Sequence, residues 1–132
     1  MKKVYSKYFP VEGYLAMTFW PWIIIRKDQK DKFDKTAERH ENTHGLQQVE
    51  VTLVGIVIAI VLLILGCEWY SLIPLGLFFE WYCLEYIIKA IFTSKAYYSI
   101  SFEQEAYDHE EEVYYNEVRK HFAWMRYIFK TK

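Results

Sequence analysis

Two histidines and a glutamate on one predicted helix have the types and spacing to bind and use a metal ion. The run His40-Glu41-Asn42-Thr43-His44 matches the pattern H-E-x-x-H. Residues four apart lie on the same face of an α-helix, so both imidazoles can bind a single Zn²⁺. Glu41 lies beside them, where a carboxylate can hold and deprotonate a metal-bound water. The alternative interpretation is a solvated turn of a polar helix.

A third ligand for this site is available further along the chain. Catalytic zinc needs three protein ligands and one open position. Glu103 and Glu105, at the predicted start of a later helix, supply carboxylates for this purpose. The apolar segment between the two motifs could fold back and bring them together. Gln47 and Gln48 follow His44 on its helix, where they either hydrogen-bond around the site or form a polar collar.

The helix that carries the motif is predicted to be long. Asp34 and Thr36 are both suitable N-caps, and nothing in the sequence stops the helix before about Gly66. Its first half is polar and its second half is apolar. Residues 51–67 form 17 consecutive positions without a charge. That length is at the lower limit for a transmembrane helix.

A second apolar stretch, residues 72–92, follows a short break and carries three charged residues. Glu85 and Lys89 are four apart and can pair on a helix. Glu80 lies near the middle of the stretch, and a carboxylate at the centre of a bilayer costs about 2.5 to 3.5 kcal/mol on insertion scales. We therefore expect Glu80 to face protein or to be neutral.

The two stretches predict an apolar helical hairpin, about residues 51–92, embedded in a membrane. Gly55 and Ala59 form a small-xxx-small pair that lets another helix approach closely. Of the 16 basic residues, nine precede the hairpin and seven follow from Lys89 onward. The positive-inside rule then places both termini in the cytoplasm. The alternative is a buried hairpin in a soluble helical domain or oligomer.

The segments that flank the hairpin complete the predicted fold. Residues 14–25 are rich in aromatic and β-branched residues and predict a strand or an interfacial segment. Ser101 and Gln104 fit a capping box, so a helix is expected from Phe102 through the acidic residues that follow. Residues 121–132 alternate aromatic and basic side chains, as an interfacial anchor does. The predicted fold class is mainly α (α+β) in a single domain, residues 1–132.

Composition excludes several other classes of protein. Sixteen basic and 17 acidic residues nearly balance, so no nucleic-acid partner is expected. Glu41 and His44 also form one E-x-x-H of a di-iron bundle, but the sequence has no second copy. Its four histidines are too few for a membrane di-iron oxygenase. Cys67 and Cys83 do not have metal-ligand spacing.

Taken together, the motifs resemble a family. A helix with H-E-x-x-H followed by one with E-x-x-A is similar to the gluzincin-type metallopeptidases. The run from His40 to Gln48, the apolar hairpin and the run from Ile100 to Tyr107 look more closely like small bacterial membrane proteins with such motifs. The resemblance implies a zincin-like domain in the bacterial cytoplasmic membrane, with its site on the long helix and on a C-terminal helix.

The resemblance also implies the roles of individual residues. His40 and His44 would be zinc ligands, Glu41 the general base and Glu103 the third ligand, with Glu105 as its rival. Further residues could support the site, and their alternative is ordinary packing or helix surface: Tyr107, His109 and Tyr114 as oxyanion stabilisers, and Asp108 beside the ligands. Gluzincins often carry an aspartate four residues after the ligand glutamate, where this chain has Tyr107.

The function expected from the sequence is a membrane-embedded zinc metallopeptidase that hydrolyses peptide bonds at the cytoplasmic face. Its partners would be the lipid bilayer and a peptide or protein substrate. The resemblance further implies that an N-terminal edge strand within residues 14–25 binds peptide by strand addition. The alternative function is a non-catalytic membrane adaptor or scaffold, with or without metal, whose acidic residues 108–117 and aromatic tail bind a partner.

Overall fold

The computed structural model describes residues 1–131 and is mainly helical, with 63% helix and 11% strand. The strands are β1 (Lys2–Ser6), β2 (Ala16–Phe19) and β3 (Trp22–Arg26). The helices are α1 (Lys35–Ile64), α2 (Leu77–Phe92), α3 (Ala96–Ser99), α4 (Ser101–His109) and α5 (Tyr115–Val118). Three 3₁₀ segments, Lys27–Lys32, Glu68–Gly76 and Ala123–Tyr127, connect or follow them.

The long helix α1 begins and ends where the sequence predicts. The Asp34 side chain accepts a hydrogen bond of 2.8 Å from the Ala37 amide, so Asp34 is the N-cap. Past Ile64, Gly66 has a φ of +78°, a conformation that glycine adopts without strain and that ends many helices. The Cys67 amide donates to the Leu62 carbonyl and closes the last turn.

The chain returns along α1 as a 3₁₀ helix, Glu68–Gly76, which we call the return segment. It approaches α1 at Gly55, where an added Cβ would overlap the carbonyl oxygen of Pro74. Phe78, in the first turn of α2, is buried in the same cluster as Val51. A hairpin is therefore present and closes tightly at Gly55, but the arm that returns along α1 is mainly the return segment, whereas the prediction placed that arm at residues 72–92.

This close approach makes a stability prediction. Gly55→Ala is expected to destabilise the protein by about 1–3 kcal/mol, because overpacking against backbone outweighs the better helix propensity of alanine. The matched control is Gly45→Ala on the same helix, where an added Cβ would meet only the flexible side chain of Met1. Thermal unfolding measured in detergent should show a lower midpoint temperature for Gly55→Ala and an unchanged one for Gly45→Ala. Equal midpoints would contradict the packing at Gly55.

Charged residues of α2 are arranged differently from the sequence expectation. Glu80 is exposed rather than turned toward protein. Phe78 packs beside Val51, where the apolar part of α1 begins. Glu80 is two residues further along α2, so it lies at the end of the hairpin and not in its middle. Glu85 and Lys89 are buried and form the predicted pair, at 3.9 Å.

Helix α4 is capped by a distant residue, so the predicted capping box is wrong. The helix begins at Ser101, and the Glu85 carboxylate accepts hydrogen bonds from the Ser101 amide (3.0 Å) and hydroxyl (2.6 Å). A carboxylate at this end also interacts favourably with the helix dipole. Gln104 instead donates to the carbonyls of Ser99 and Lys130.

The helix also ends earlier than predicted, at His109. The acidic residues that follow it, Glu110 to Glu112, are therefore not helical, contrary to the prediction. Carboxylates at a helix C-terminus are repelled by the dipole. The chain turns there, and the Glu110 carbonyl accepts a hydrogen bond from the Arg39 side chain. This turn brings the acidic residues back to α1.

The N-terminal residues form a three-stranded sheet in the order β1-β3-β2. Residues 14–25 are two strands joined by a turn at Trp20 and Pro21, rather than one strand. β3 is central, with β1 parallel on one side and β2 antiparallel on the other. β2 is an edge strand and it packs against α1.

The core lies where α1, α2, α4 and the C-terminal tail meet. Its buried apolar residues are Val51, Phe78, Ile100, Phe102 and Trp124. The predicted interfacial tail is thus partly internal, because Trp124 and Tyr127 are buried, whereas Met125 and Phe129 are exposed, at 54% and 97%. Trp124 packs on Phe102 because the turn after α4 folds the tail back over that helix.

Two helical stretches, Lys35–Ile64 and Glu68–Phe92, are long and apolar enough to cross a membrane. This is a statement of length and composition, and core helices of soluble proteins can satisfy it. Many large apolar side chains on these stretches are exposed, among them Leu53, Val57, Leu63, Ile87 and Ile91.

Candidate metal centre

Helices α1 and α4 bring three predicted ligands into one buried cluster, His40, His44 and Glu103, which we call the His–Glu cluster. The two Nε2 atoms of His40 and His44 lie 3.1 Å apart. Glu103 Oε2 is 3.4 Å from the His40 Nε2, and Glu103 Oε1 is 3.4 Å from the His44 Nε2. The helical spacing of the histidines and the first turn of α4 together produce this arrangement.

The cluster has the dimensions and the open valence of a metal site. Tetrahedral zinc with bonds of about 2.05 Å places neighbouring ligand atoms about 3.3 Å apart. The distances in the cluster are close to this value. Glu103 Oε2 is buried, and no donor within residues 1–131 is aligned to hydrogen-bond with it. A buried carboxylate oxygen without a partner is costly, and a cation would satisfy it. The His–Glu cluster could therefore hold a metal ion.

Electrostatics within the cluster favour a cation beside Glu103. Burial alone would lower the pKa of His44, but the Glu103 carboxylate outweighs it and raises that pKa to about 9. Burial would raise the pKa of Glu103, but the charge of His44 holds it well below its usual range. Without a metal ion, His44 thus keeps its proton at neutral pH and places a positive charge beside Glu103.

Gln47 orients His44 and connects it to a buried ion-pair network. Its side-chain oxygen accepts from the His44 Nδ1 at 2.8 Å, which leaves Nε2 for a metal. Its side-chain nitrogen donates to Glu105 Oε2 at 2.9 Å. Arg119 lies 2.6 Å both from Glu105 and from Glu50. Glu105 therefore holds Gln47, which orients His44, and is not itself part of the His–Glu cluster.

Glu110 performs the same task for His40, and the sequence analysis did not identify it. Its Oε2 accepts from the His40 Nδ1 at 2.9 Å. Asp108, predicted to lie beside the ligands, is exposed and interacts with Tyr127 instead. The acidic run was a visible signal, but a continuous helix would have pointed Glu110 elsewhere. Only the turn after His109 lets it reach α1.

This contact predicts a loss of metal affinity. Glu110→Ala is expected to weaken zinc binding by about 10- to 100-fold, because the His40 ring loses the partner that fixes its orientation. Glu111→Ala is the matched control, since Glu111 is exposed and lies 3.8 Å from Arg39 rather than at the cluster. Titration with a competing zinc chelator measures both. Similar affinities in the two variants would contradict the role of Glu110.

Glu41 lies beside the cluster in contact with the sheet. Its Oε2 is 2.7 Å from the hydroxyl of Thr18, whose single proton is shared between this oxygen and the Glu41 carbonyl at 2.9 Å. Two cavities, of about 560 and 630 Å³, meet beside the His–Glu cluster, and Glu41 lines both of them. Its carboxylate is therefore held in place by β2 while it borders open space.

Three tyrosines surround Glu103, and two of them were not among the predicted site residues. The Tyr82 hydroxyl donates to Glu103 Oε1 at 2.8 Å. Tyr97 lines both cavities, and burial together with the Glu103 charge raises the pKa of its phenol. Tyr107 was predicted, and its ring packs on His40 with centroids 4.5 Å apart. Tyr97 therefore borders both cavities beside Glu103, and the Tyr107 ring lies against His40.

The other two predicted oxyanion residues are not at the cluster. His109 bonds Glu112 at 2.7 Å and stacks on Tyr115. Tyr114 is 68% exposed. His109 is the last residue of α4 and Tyr114 lies beyond its end, and neither side chain reaches the cluster.

Two cavities open onto the cluster. The first, which we call the apolar cavity, has a volume of about 560 Å³ and lies between β2, α1 and α2. The second, of about 630 Å³, lies between α1, the residues before β2 and the Tyr107 side of α4. Gln48, also predicted near the site, bonds the Thr18 carbonyl (2.7 Å) and the Trp20 amide (2.8 Å) and so attaches β2 to α1.

No protein-family model, curated protein or solved structure matches this chain. The assignment of a function therefore depends on the geometry of the cluster and its surroundings.

Proposed function

We propose that this protein is a zinc-dependent metallopeptidase, with His40, His44 and Glu103 as ligands and Glu41 as general base. The observation that carries the proposal is the buried cluster, in which Glu103 Oε2 has no hydrogen bond and each of the two carboxylate oxygens faces the Nε2 of one histidine. Two histidines with one glutamate is a ligand set of catalytic zinc in hydrolases, and three ligands leave a position open.

Zinc in this site would polarise a substrate carbonyl and lower the pKa of water. The chain's own groups then have separate tasks. The Glu41 carboxylate accepts a proton from the attacking water and passes it to the leaving amine. The Thr18 hydroxyl holds that carboxylate at the border of both cavities. Tyr97 and Tyr107 donate hydrogen bonds to the carbonyl oxygen as it becomes negative.

We further propose that the protein resides in a membrane, with the end of α1 and the return segment in the bilayer. The exposed apolar side chains of this hairpin support the proposal, as do Trp69 and Tyr70 at its tip, 80% and 72% exposed. Aromatic side chains of this kind are enriched at bilayer interfaces. Because the hairpin returns, both termini lie on one side, and the distribution of basic residues favours the cytoplasm.

The proposal is tested by searching for zinc-dependent cleavage of peptides. The purified, zinc-loaded protein in detergent is incubated with a mixed peptide library, and new termini are identified by mass spectrometry. We expect cleavage that is lost with a chelator and restored by zinc. A protein that binds one zinc per chain and cleaves nothing would contradict peptidase activity and favour the scaffold alternative.

A further inference from the structure

The apolar cavity lies beside the His–Glu cluster and is lined mainly by aromatic and aliphatic side chains. We propose, on the basis of the peptidase assignment, that it binds a membrane-anchored segment in extended form and takes one large apolar side chain next to the cleaved bond. Three features of the cavity support this binding mode: its two walls, the charge of its lining and its position relative to the hairpin.

One wall of the cavity is a single stripe of α2. The lining residues of this helix are Phe78, Phe79, Tyr82, Cys83, Tyr86 and Ile87. Their spacing places them on one helix face, over about 13 Å. An extended peptide of about four residues covers that distance. The wall is therefore long enough for a short substrate segment that lies along it.

The opposite wall includes Ala16, Met17 and Thr18 of the edge strand β2. Residues 16, 18 and 20 direct their backbone groups away from β3, since Phe19 and Trp22 form the pair nearest the turn. Gln48 already bonds the Thr18 carbonyl and the Trp20 amide. Among the residues that the structure describes, the Thr18 amide and the Ala16 carbonyl remain on this edge for a ligand. One donor and one acceptor suffice to align a peptide as an added strand.

The charge of the lining selects an apolar side chain. The charged residues of the lining, Glu41 and Glu103, and the two histidines all belong to the catalytic end. The α2 wall beyond that end contributes aromatic and aliphatic side chains and one thiol. A charged substrate side chain placed there would lose water and gain no partner, whereas a large apolar one gains burial.

The position of the cavity points to the bilayer as the source of the peptide. Its rim carries the stacked rings of Phe19 and Phe79, with Trp20 and Trp22 exposed beside them at 54% and 43%. Gln48 holds Trp20 at the level where the apolar part of α1 begins. His44 lies seven residues before Val51, about 10 Å along the helix. About three extended residues bridge that distance, so a segment that leaves the membrane reaches the cluster directly.

Protection of Cys83 from alkylation tests the inference without relying on turnover. The protein is the zinc-loaded Glu41→Gln, Cys67→Ser form in lipid vesicles, which leaves Cys83 as its single thiol. The probes are nine-residue peptides with a central Phe or a central Ser, each free or fused to an apolar transmembrane helix. The matched control carries Cys83→Ser and Leu84→Cys, which moves the thiol to a neighbouring exposed position outside the cavity.

We expect the anchored Phe peptide to slow maleimide labelling of Cys83 at least fivefold, at a concentration tenfold or more below that of the free Phe peptide. The anchored Ser peptide should not protect, and labelling in the control should not change. Equal protection by Ser would overturn the side-chain preference. Equal potency of the free peptide would overturn the membrane source, and protection of the control thiol would overturn the location.

A pair of variants separates this inference from the peptidase assignment. In the otherwise native protein, Cys83→Phe fills the cavity and should reduce cleavage of Phe peptides relative to Ser peptides, whereas Leu84→Phe should not. If the native protein cleaves peptides with no such preference, the peptidase assignment stands and the cavity assignment falls. If Phe peptides protect Cys83 but nothing is cleaved, the cavity assignment stands and the peptidase assignment falls.

Discussion

Replacement of His44 by alanine or of Glu103 by glutamine is expected to abolish stable zinc binding. Mutation of a residue that only hydrogen-bonds to a metal ligand already weakens metal affinity by about 10- to 100-fold. Loss of a ligand itself should therefore weaken zinc affinity by more than about 100-fold. Glutamine keeps the volume of Glu103 and its hydrogen bond from Tyr82, but it removes the charge that faces both histidines. The native protein should purify with one zinc per chain, measured by elemental analysis, and both variants with none.

The matched control for this prediction is His109→Ala. It also removes a histidine of α4, but one that bonds Glu112 and stacks on Tyr115 away from the cluster. Its zinc content should equal that of the native protein. Circular dichroism of each variant checks that the fold persists, because removal of one partner of a buried ion pair is destabilising. Full zinc content in a folded Glu103→Gln protein would contradict the ligand assignment.

The same titrations should depend on pH with a defined sign. His44, which precedes the apolar part of α1, has a pKa raised to about 9 in the metal-free protein. Zinc must displace that proton, so apparent affinity should rise about tenfold per pH unit from 7 toward 9 and then level off. A flat profile over this range would show that zinc does not replace the His44 proton.

The predictable parts of this protein are those determined by short spacings along the chain. The Asp34 cap, the glycine after α1 and the i, i+4 histidines all follow from local helix geometry and agree with the structure. Glu103 was preferred to Glu105 only through a family resemblance. The structure separates the two, because Glu105 is two residues further round α4 and faces Arg119.

The parts that could not be predicted depend on contacts between distant segments. Glu85 caps α4 from another helix, which no pattern around Ser101 reveals. Glu110 reaches His40 only because α4 ends early and the chain turns back to α1. Each partner carries a common polar side chain, so its role is visible only once the tertiary structure places it.

These contacts also explain how a small chain can position the His–Glu cluster beside the apolar hairpin. α1 is one continuous helix that carries the ligands at one end and the apolar arm at the other. Arg119 ties Glu50 on α1 to Glu105 on α4, so it fixes the relative position of the two ligand-bearing helices. The ion pairs thus lie between the polar half of the protein and the apolar half, where they hold the cluster at a constant distance from the hairpin.

The second large effect is expected from Glu41→Gln, which should leave zinc bound but reduce peptide hydrolysis by about 10²- to 10⁴-fold. Glutamine has nearly the same shape and still accepts a hydrogen bond from Thr18, whose hydroxyl lies 2.7 Å from the Glu41 carboxylate. It cannot accept a proton from water, so the chemical step fails while the site stays intact. Initial rates of cleavage of a peptide found in the library screen, with zinc content measured in the same sample, test this.

Thr18→Ala is the informative companion to this variant. It removes the hydroxyl that holds Glu41 but leaves the base itself, so hydrolysis should fall less than in Glu41→Gln. Because β2 remains attached through Gln48, peptide binding along that strand should persist and the loss should appear in kcat more than in KM. If Glu41→Gln retained native rates with zinc bound, another group would be the base. If Thr18→Ala were as inactive as Glu41→Gln, the position of the carboxylate would matter as much as its charge.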